Sequence, residues 1–131
     1  MTIRSGLLVS LPVLLFSLSA AQQAAAQNLD ADMAKKVMLD KTWARKNVGG
    51  QKSFWSWSSD GTVCIRLFER SGKCDDTARW WMDGENVCYE AQWWGGNLGL
   101  KSSCFRIVDA GNGRYDGISK DLKNFEFTMV K

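Results

Sequence analysis

The feature that most constrains this chain is an alternation of apolar and polar residues with period two, which begins at Phe54 and continues almost to the end. In residues 62–68 (TVCIRLF), for example, apolar side chains at 63, 65 and 67 alternate with Cys64 and Arg66. Glycine-containing turns separate such segments at 60–61, 71–72, 83–84, 95–97 and 111–113. Because successive side chains of a strand point to opposite faces, the pattern predicts an antiparallel sheet of six to seven short strands.

One face of this predicted sheet is almost entirely apolar or aromatic, and that face has to be covered. The expected fold is therefore all-β, a small, strongly curved sheet or barrel plugged or flanked by one short N-terminal helix. The helix is predicted over about 30–40, with Asp30 as its cap and with Met33 and Val37 on its apolar face. Residues 42–44 either extend the helix to Trp43 or open the first strand.

Residues 1–26 have the three parts of a secretory signal peptide, namely Arg4, an apolar run at 7–18 and a small-residue exit. The apolar run is shorter than the ~20 residues needed to span a bilayer. Cleavage is predicted after Ala26, or alternatively after Ala21. We therefore expect a single β domain at 27–131, periplasmic or secreted, with no membrane insertion of the mature chain.

Export determines how the four cysteines are interpreted, because thiols oxidise outside the cytoplasm. A four-thiolate zinc site is the alternative, but such sites usually contain two closely spaced pairs. The spacing favours two disulfides, and four cysteines allow three connectivities. Order along the chain favours Cys64–Cys74 and Cys88–Cys104, and the second pair lies on one face of a predicted hairpin.

Composition excludes several kinds of chemistry. The 131 residues include no histidine, which excludes Ser-His-Asp and Cys-His catalysis and histidine-ligated metal sites. A net charge of +3 without a basic cluster gives no reason to expect a nucleic-acid partner. We expect no metal and no cofactor.

Seven tryptophans are the most unusual component of the chain. The phase of the strands predicts that Trp80 and Trp93 pack in the core. Trp81 and Trp94 are predicted to point to the opposite face of the sheet, which Arg79 and Glu90 share. Aromatic rings beside charged groups are typical of a surface that binds ligands, so these four are the candidate binding residues. Packing in a second core, or over a disulfide, is the alternative for the two tryptophans.

The positions of most acidic residues favour a structural role in turns over a role in catalysis. Asp75-Asp76 and the pair Asp83/Glu85 lie in predicted turns, where carboxylates bind backbone amides. Glu90 lies in the middle of a strand, and a cross-strand pair with Arg66 or Arg106 would account for it.

Short motifs along most of the mature chain also form a layout: Lys41-Thr42-Trp43, Asp60-Gly61-Thr62, Asp76-Thr77-Ala78-Arg79-Trp80, Val87-Cys88-Tyr89, Trp93-Trp94 and Cys104-Phe105-Arg106. This resembles small exported proteobacterial proteins of unknown function with a KTW…DGT…GxW…LCY…W…CF layout. Asp40 and Ala78 stand where those proteins often have glycine. The resemblance implies a compact β domain in the cell envelope and brings no catalytic residues with it.

Three functions are compatible with these observations. The first is a non-enzymatic domain that binds a ligand or an envelope protein through its aromatic and charged face. The second is an inhibitor of a hydrolase such as a lysozyme or protease, acting through residues 69–72 in a loop held by Cys64–Cys74. The third is a hydrolase that uses two carboxylates, with Glu90 facing Asp83 or Glu85.

Overall fold

The computed structural model describes residues 27–47, 50, 52–120 and 125–130, so the predicted signal peptide lies outside the described residues. One helix, α1, spans Ala31–Met38, and a short 3₁₀ turn spans Gly96–Leu98. The described strands are β1 (Gln27–Asn28), β2 (Thr42–Asn47), β3 (Lys52–Trp57), β4 (Thr62–Arg66), β5 (Asp76–Asp83), β6 (Asn86–Ala91), β7 (Ser102–Gly111), β8 (Arg114–Ser119) and β9 (Phe125–Val130).

Strands β2 to β9 form a closed antiparallel barrel. Each strand pairs with the next along the chain, and β9 returns to pair with β2, where Val130 lies opposite Ala44. The short β1 adds to the edge of β7, with Gln27 opposite Asp109. The predicted all-β antiparallel architecture is confirmed in its barrel form.

The predicted number of six to seven strands is wrong, because the barrel has eight. The strand that the periodicity does not reveal is β8, which contains Asp116 and Gly117, residue types that are depleted in strands. Gly117 occupies a buried position, so the inward face of β8 lacks the apolar side chain that would have completed the alternation. A register irregularity between Gly117 and Ile118 further interrupts the pattern.

The helix covers one end of the barrel. Asp30 caps it as predicted, since its side chain accepts a hydrogen bond of 2.9 Å from the backbone N–H of Met33. The buried residues are Ala34 and Met38, whereas Met33 is 46% exposed, so the predicted apolar face is wrong at Met33. The indole N–H of Trp43 donates to the carbonyl oxygen of Met38 at 3.3 Å.

Aromatic rings fill the interior. An eight-stranded barrel is just wide enough for its own side chains to fill, and here Trp55 is the central ring, fully buried. Its centroid lies 5.6 Å from Trp57 and 4.9 Å from both Tyr89 and Trp94. Trp80 is half-buried and packs against this core, as the phase of β5 predicts. Stacked and edge-on rings at these distances stabilise a small core beyond their area burial.

The cysteines form the two predicted pairs. Cys64 is bonded to Cys74 and Cys88 to Cys104, with Cα–Cα distances of 5.3 Å and 4.0 Å. Cys88 and Cys104 lie directly opposite each other in β6 and β7. The strand positions of the cysteines alternate with inward residues, so the disulfides lie on the outer side. Two such bonds place the folded domain in an oxidising, extracytoplasmic environment.

The role of the helix as an end cover can be tested with one pair of variants. We expect Met38→Ala to lower the free energy of unfolding by about 2–5 kcal/mol, because it leaves a cavity under the helix. Met33→Ala on the same helix should change it by less than about 1 kcal/mol, since Met33 is 46% exposed. Urea unfolding with the disulfides intact measures both, and equal losses would contradict this placement of α1.

Candidate functional site

The barrel end away from the helix carries a cleft, which we call the mouth cleft. It lies where β3 and β5 begin, and its volume is about 470 Å³. Two loops border it, one following β4 and one following β6. Its lining residues are Lys52, Ser53, Leu67, Phe68, Trp93, Trp94, Gly95, Gly96, Asn97 and Leu98.

Three large apolar side chains of the mouth cleft are exposed to solvent. Phe68 is 86% exposed, Leu98 58% and Trp93 52%. Single exposed apolar residues are ordinary, but a group of them around one concavity is typical of a binding surface. The mouth cleft is therefore the strongest candidate site in the part of the chain that the structure describes.

A buried carboxylate holds the loop that carries Trp93. Asp76, at the start of β5, is 4% exposed. Its Oδ2 accepts hydrogen bonds from the backbone N–H groups of Trp93 at 3.0 Å and Trp94 at 2.8 Å, and its Oδ1 accepts from Thr77 at 2.7 Å. Amides that bind a charged acceptor form strong hydrogen bonds. Asp76 thus fixes the point at which the chain leaves β6.

The end of β6 reverses the positions predicted for Trp93 and Trp94. β6 ends at Ala91, so the strand alternation does not reach 93 and 94. Trp93 lies outside rather than in the core, and Trp94 is 5% exposed rather than on the outer face. The chain then turns at Gly95, whose φ is +72° and where a Cβ atom would lie 3.0 Å from Leu100. Only glycine fits that turn without displacement.

Beneath Trp94 lies a buried arginine that the sequence analysis did not identify. Arg45 is 1% exposed, and its guanidinium carbon lies 4.3 Å from the ring centroid of Trp55 and 4.9 Å from that of Trp94. Its Nη2 donates to the hydroxyl oxygen of Tyr89 at 3.4 Å. The aromatic faces stabilise this cation out of water. The available signal was its spacing of two from Trp43, which places Arg45 on the inward face of β2.

Three of the four predicted binding residues lie together on the outer wall, whereas the fourth, Trp94, is buried. Arg79 Nη2 lies 2.6 Å from Glu90 Oε2, and its guanidinium carbon lies 5.2 Å from the Trp81 ring. We call these three residues the outer patch. The predicted partners of Glu90, Arg66 and Arg106, are wrong, because Arg79 is directly opposite Glu90 in the register. The hydrogen bond from Arg79 lowers the pKa of Glu90 below its ordinary value.

The loop between Cys64 and Cys74 is held against the barrel wall. Arg66 Nε donates to the carbonyl oxygen of Gly72 at 2.8 Å, and Arg70 Nη1 donates to that of Thr42 at 3.1 Å. Asp75 Oδ2 accepts from the backbone N–H of Leu67 at 2.8 Å. Residues 69–72 are exposed, as the inhibitor hypothesis requires. Phe68 extends from the same loop, so a crosslinked loop supports one side of the mouth cleft.

The acidic residues mostly stabilise structure. The predicted backbone hydrogen bonds of Asp75 and Asp76 are confirmed, but the predicted turn location is wrong for Asp76, which begins β5. Asp83 pairs with Lys120 Nζ at 2.6 Å, and it lies four residues from Arg79 along β5. Because Arg79 faces Glu90, Asp83 and Glu90 are about 13 Å apart along the strand direction.

Comparison of the chain with protein-family models, with curated proteins and with solved structures finds no match. Among the described residues, no helix has the length and apolar character needed to cross a membrane. Those residues also contain no group of three or more His, Cys, Asp or Glu side chains that could hold a metal ion.

The anchoring role of Asp76 predicts a difference between two adjacent acidic residues. We expect Asp76→Asn to lower the free energy of unfolding by about 2–3 kcal/mol, because an amide cannot accept all three backbone hydrogen bonds. Asp75→Asn is the control, since it is exposed and an amide oxygen can still accept its one backbone bond; we expect a loss below about 1 kcal/mol.

Urea unfolding measures both losses, and hydrogen exchange measures the amides of Trp93 and Trp94. These amides should exchange faster in Asp76→Asn and at the wild-type rate in Asp75→Asn. Unchanged exchange in Asp76→Asn would show that Asp76 does not hold the loop.

Proposed function

We propose that this chain is a non-enzymatic binding domain, periplasmic or secreted after removal of residues 1–26, whose mouth cleft takes an apolar group of a ligand. The observation that carries the proposal is the exposure of Phe68, Trp93 and Leu98 around one concavity of about 470 Å³. Burying such surface against a ligand is favourable by about 25 cal/mol per Å² of apolar area.

The supports of the mouth cleft favour binding, because contacts within the chain hold both bordering loops. Asp76 holds the loop that carries Trp93 and Leu98, and the Cys64–Cys74 disulfide closes the loop that carries Phe68. A site whose groups are held in place loses less conformational entropy on binding.

The outer patch is a weaker candidate for the same role. Arg79 and Glu90 already neutralise each other, and Arg79 covers part of Trp81, which is 39% exposed. A ligand that used either charge would have to replace this ion pair. The predicted roles of Trp81, Arg79 and Glu90 remain predictions, and Trp81 serves as the internal control below.

The absence of a catalytic role is also part of the proposal. The chain has no histidine, and both disulfides leave no free cysteine. Four of the carboxylates considered for hydrolysis are engaged elsewhere, Asp75 and Asp76 by backbone amides and Asp83 and Glu90 by cations.

Binding can be tested with a neutral apolar fluorophore, N-phenyl-1-naphthylamine, on the oxidised mature protein. We expect saturable fluorescence enhancement that Trp93→Ala weakens about tenfold or more, because large aromatic residues dominate binding sites. Trp81→Ala should bind like the wild type. Circular dichroism checks that both variants are folded.

Two results would contradict this proposal. The first is the same affinity for wild type and Trp93→Ala. The second is a loss of binding in Trp81→Ala alone, which would place the site on the outer patch.

One observation favours inhibition of a hydrolase as a second candidate. Phe68 is 86% exposed on a loop that a disulfide closes, and such a rigid protrusion fits a protein cleft. A panel of lysozymes and proteases provides the test, with inhibition expected at micromolar protein and lost in Phe68→Ala. No inhibition across the panel at that concentration would remove this candidate.

A further inference from the structure

We propose that the ligand of the mouth cleft is a single-chain amphiphile with an anionic head, such as a medium-chain carboxylate. This inference rests on the proposed function and adds the chemical class of the ligand. It follows from the charges at the rim of the mouth cleft.

Two lysines lie directly opposite each other at the rim. Lys46 in β2 is the register partner of Lys52 in β3, and both are exposed. Like charges at opposite positions of a strand pair are destabilising. None of the ion pairs among the described residues involves either lysine. This lysine pair is thus a local positive charge that an anion would neutralise.

The lysine pair and the apolar surface belong to one site. Lys52 itself lines the mouth cleft together with Phe68 and Trp93. Its ammonium lies 5.7 Å from the ring centroid of Phe54, on the outer wall of β3. A ligand whose chain packs on Trp93 can place its head beside Lys52, which shares the cleft lining, and Lys46 is the register partner of Lys52 on β2.

The carboxylates of the bordering loops are engaged by other groups, and none of the ion pairs among the described residues joins them to Lys46 or Lys52. Asp76 is buried, and its oxygens accept hydrogen bonds from three backbone amides. Asp75 accepts the backbone N–H of Leu67. Glu69, on the Phe68 loop, turns its carboxylate toward Gly72. The mouth cleft thus combines an apolar wall with a cationic rim, which is complementary to an anionic amphiphile.

The shape of the site favours a single chain over a membrane surface. The mouth cleft is concave and its volume of about 470 Å³ is in the range of sites that enclose one small ligand. An amphiphile below its micelle-forming concentration can enter it, whereas a bilayer surface meets only the rim.

Isothermal titration calorimetry at low salt can compare octanoate with 1-octanol, which has the same chain length without the charge. We expect octanoate to bind about threefold to tenfold more tightly, with the difference shrinking as salt screens the lysine pair. Decanoate should bind more tightly than octanoate, by about threefold to fourfold per added methylene.

Substitutions distinguish the contribution of the ligand's charged head from that of its apolar chain. Lys46→Gln/Lys52→Gln should remove the preference for octanoate, so that octanoate and 1-octanol bind this variant with equal affinity. Lys36→Gln is the matched control, because this exposed lysine lies on α1 at the other end of the barrel. Trp93→Ala should weaken both ligands.

Each outcome is decisive for one of the two proposals. Equal affinity for octanoate and 1-octanol in the wild type would overturn the anionic head while leaving the binding function intact. Acetate binding as tightly as octanoate would overturn the contribution of the apolar chain, and sedimentation with phosphatidylglycerol vesicles without binding of octanoate would overturn the single-chain ligand. Failure of octanoate, 1-octanol and the neutral fluorophore together would overturn the proposed function itself.

Discussion

The hydrogen bonds between β9 and β2 determine which side chains lie inside this molecule. With that pairing the sheet has a closed interior, and the alternating residues of every barrel strand point either into it or away from it. Trp55 and its aromatic neighbours fill the space, and the disulfides are left on the outer side. Since closure leaves two ends, α1 covers one and the loops around Trp93 and Phe68 shape the other.

Charge inside the barrel follows the same geometry. In β2, Arg45 points into the barrel, and its neighbours Ala44 and Lys46 point away from the interior. The rings of Trp55 and Trp94 stabilise the Arg45 guanidinium in the interior. Trp94 separates this cation from the mouth cleft. A charged side chain at an inward position is thus compatible with the fold where aromatic faces surround it.

Regular elements could be predicted from the sequence, and departures from regularity could not. Alternation and glycine turns predicted the antiparallel architecture, and the hairpin around 95–97 predicted the Cys88–Cys104 bond. The alternation predicts a strand that continues through Trp93, whereas β6 ends at Ala91, because the backbone N–H of Trp93 donates to the Asp76 carboxylate instead of to a neighbouring strand. A carboxylate seventeen residues away in sequence leaves no local signal. β8 was missed because Gly117 contributes no apolar side chain.

The two disulfides constrain different parts of the fold. Cys88–Cys104 joins neighbouring strands that backbone hydrogen bonds already hold together, whereas Cys64–Cys74 closes a loop outside the barrel ladder. Under reduction, the loss of Cys64–Cys74 would leave the loop of Phe68 held by hydrogen bonds alone, such as that from Arg70 to Thr42, while the eight strands stay paired. A reducing agent would therefore alter the surface at the open end of the barrel while the barrel scaffold stays intact.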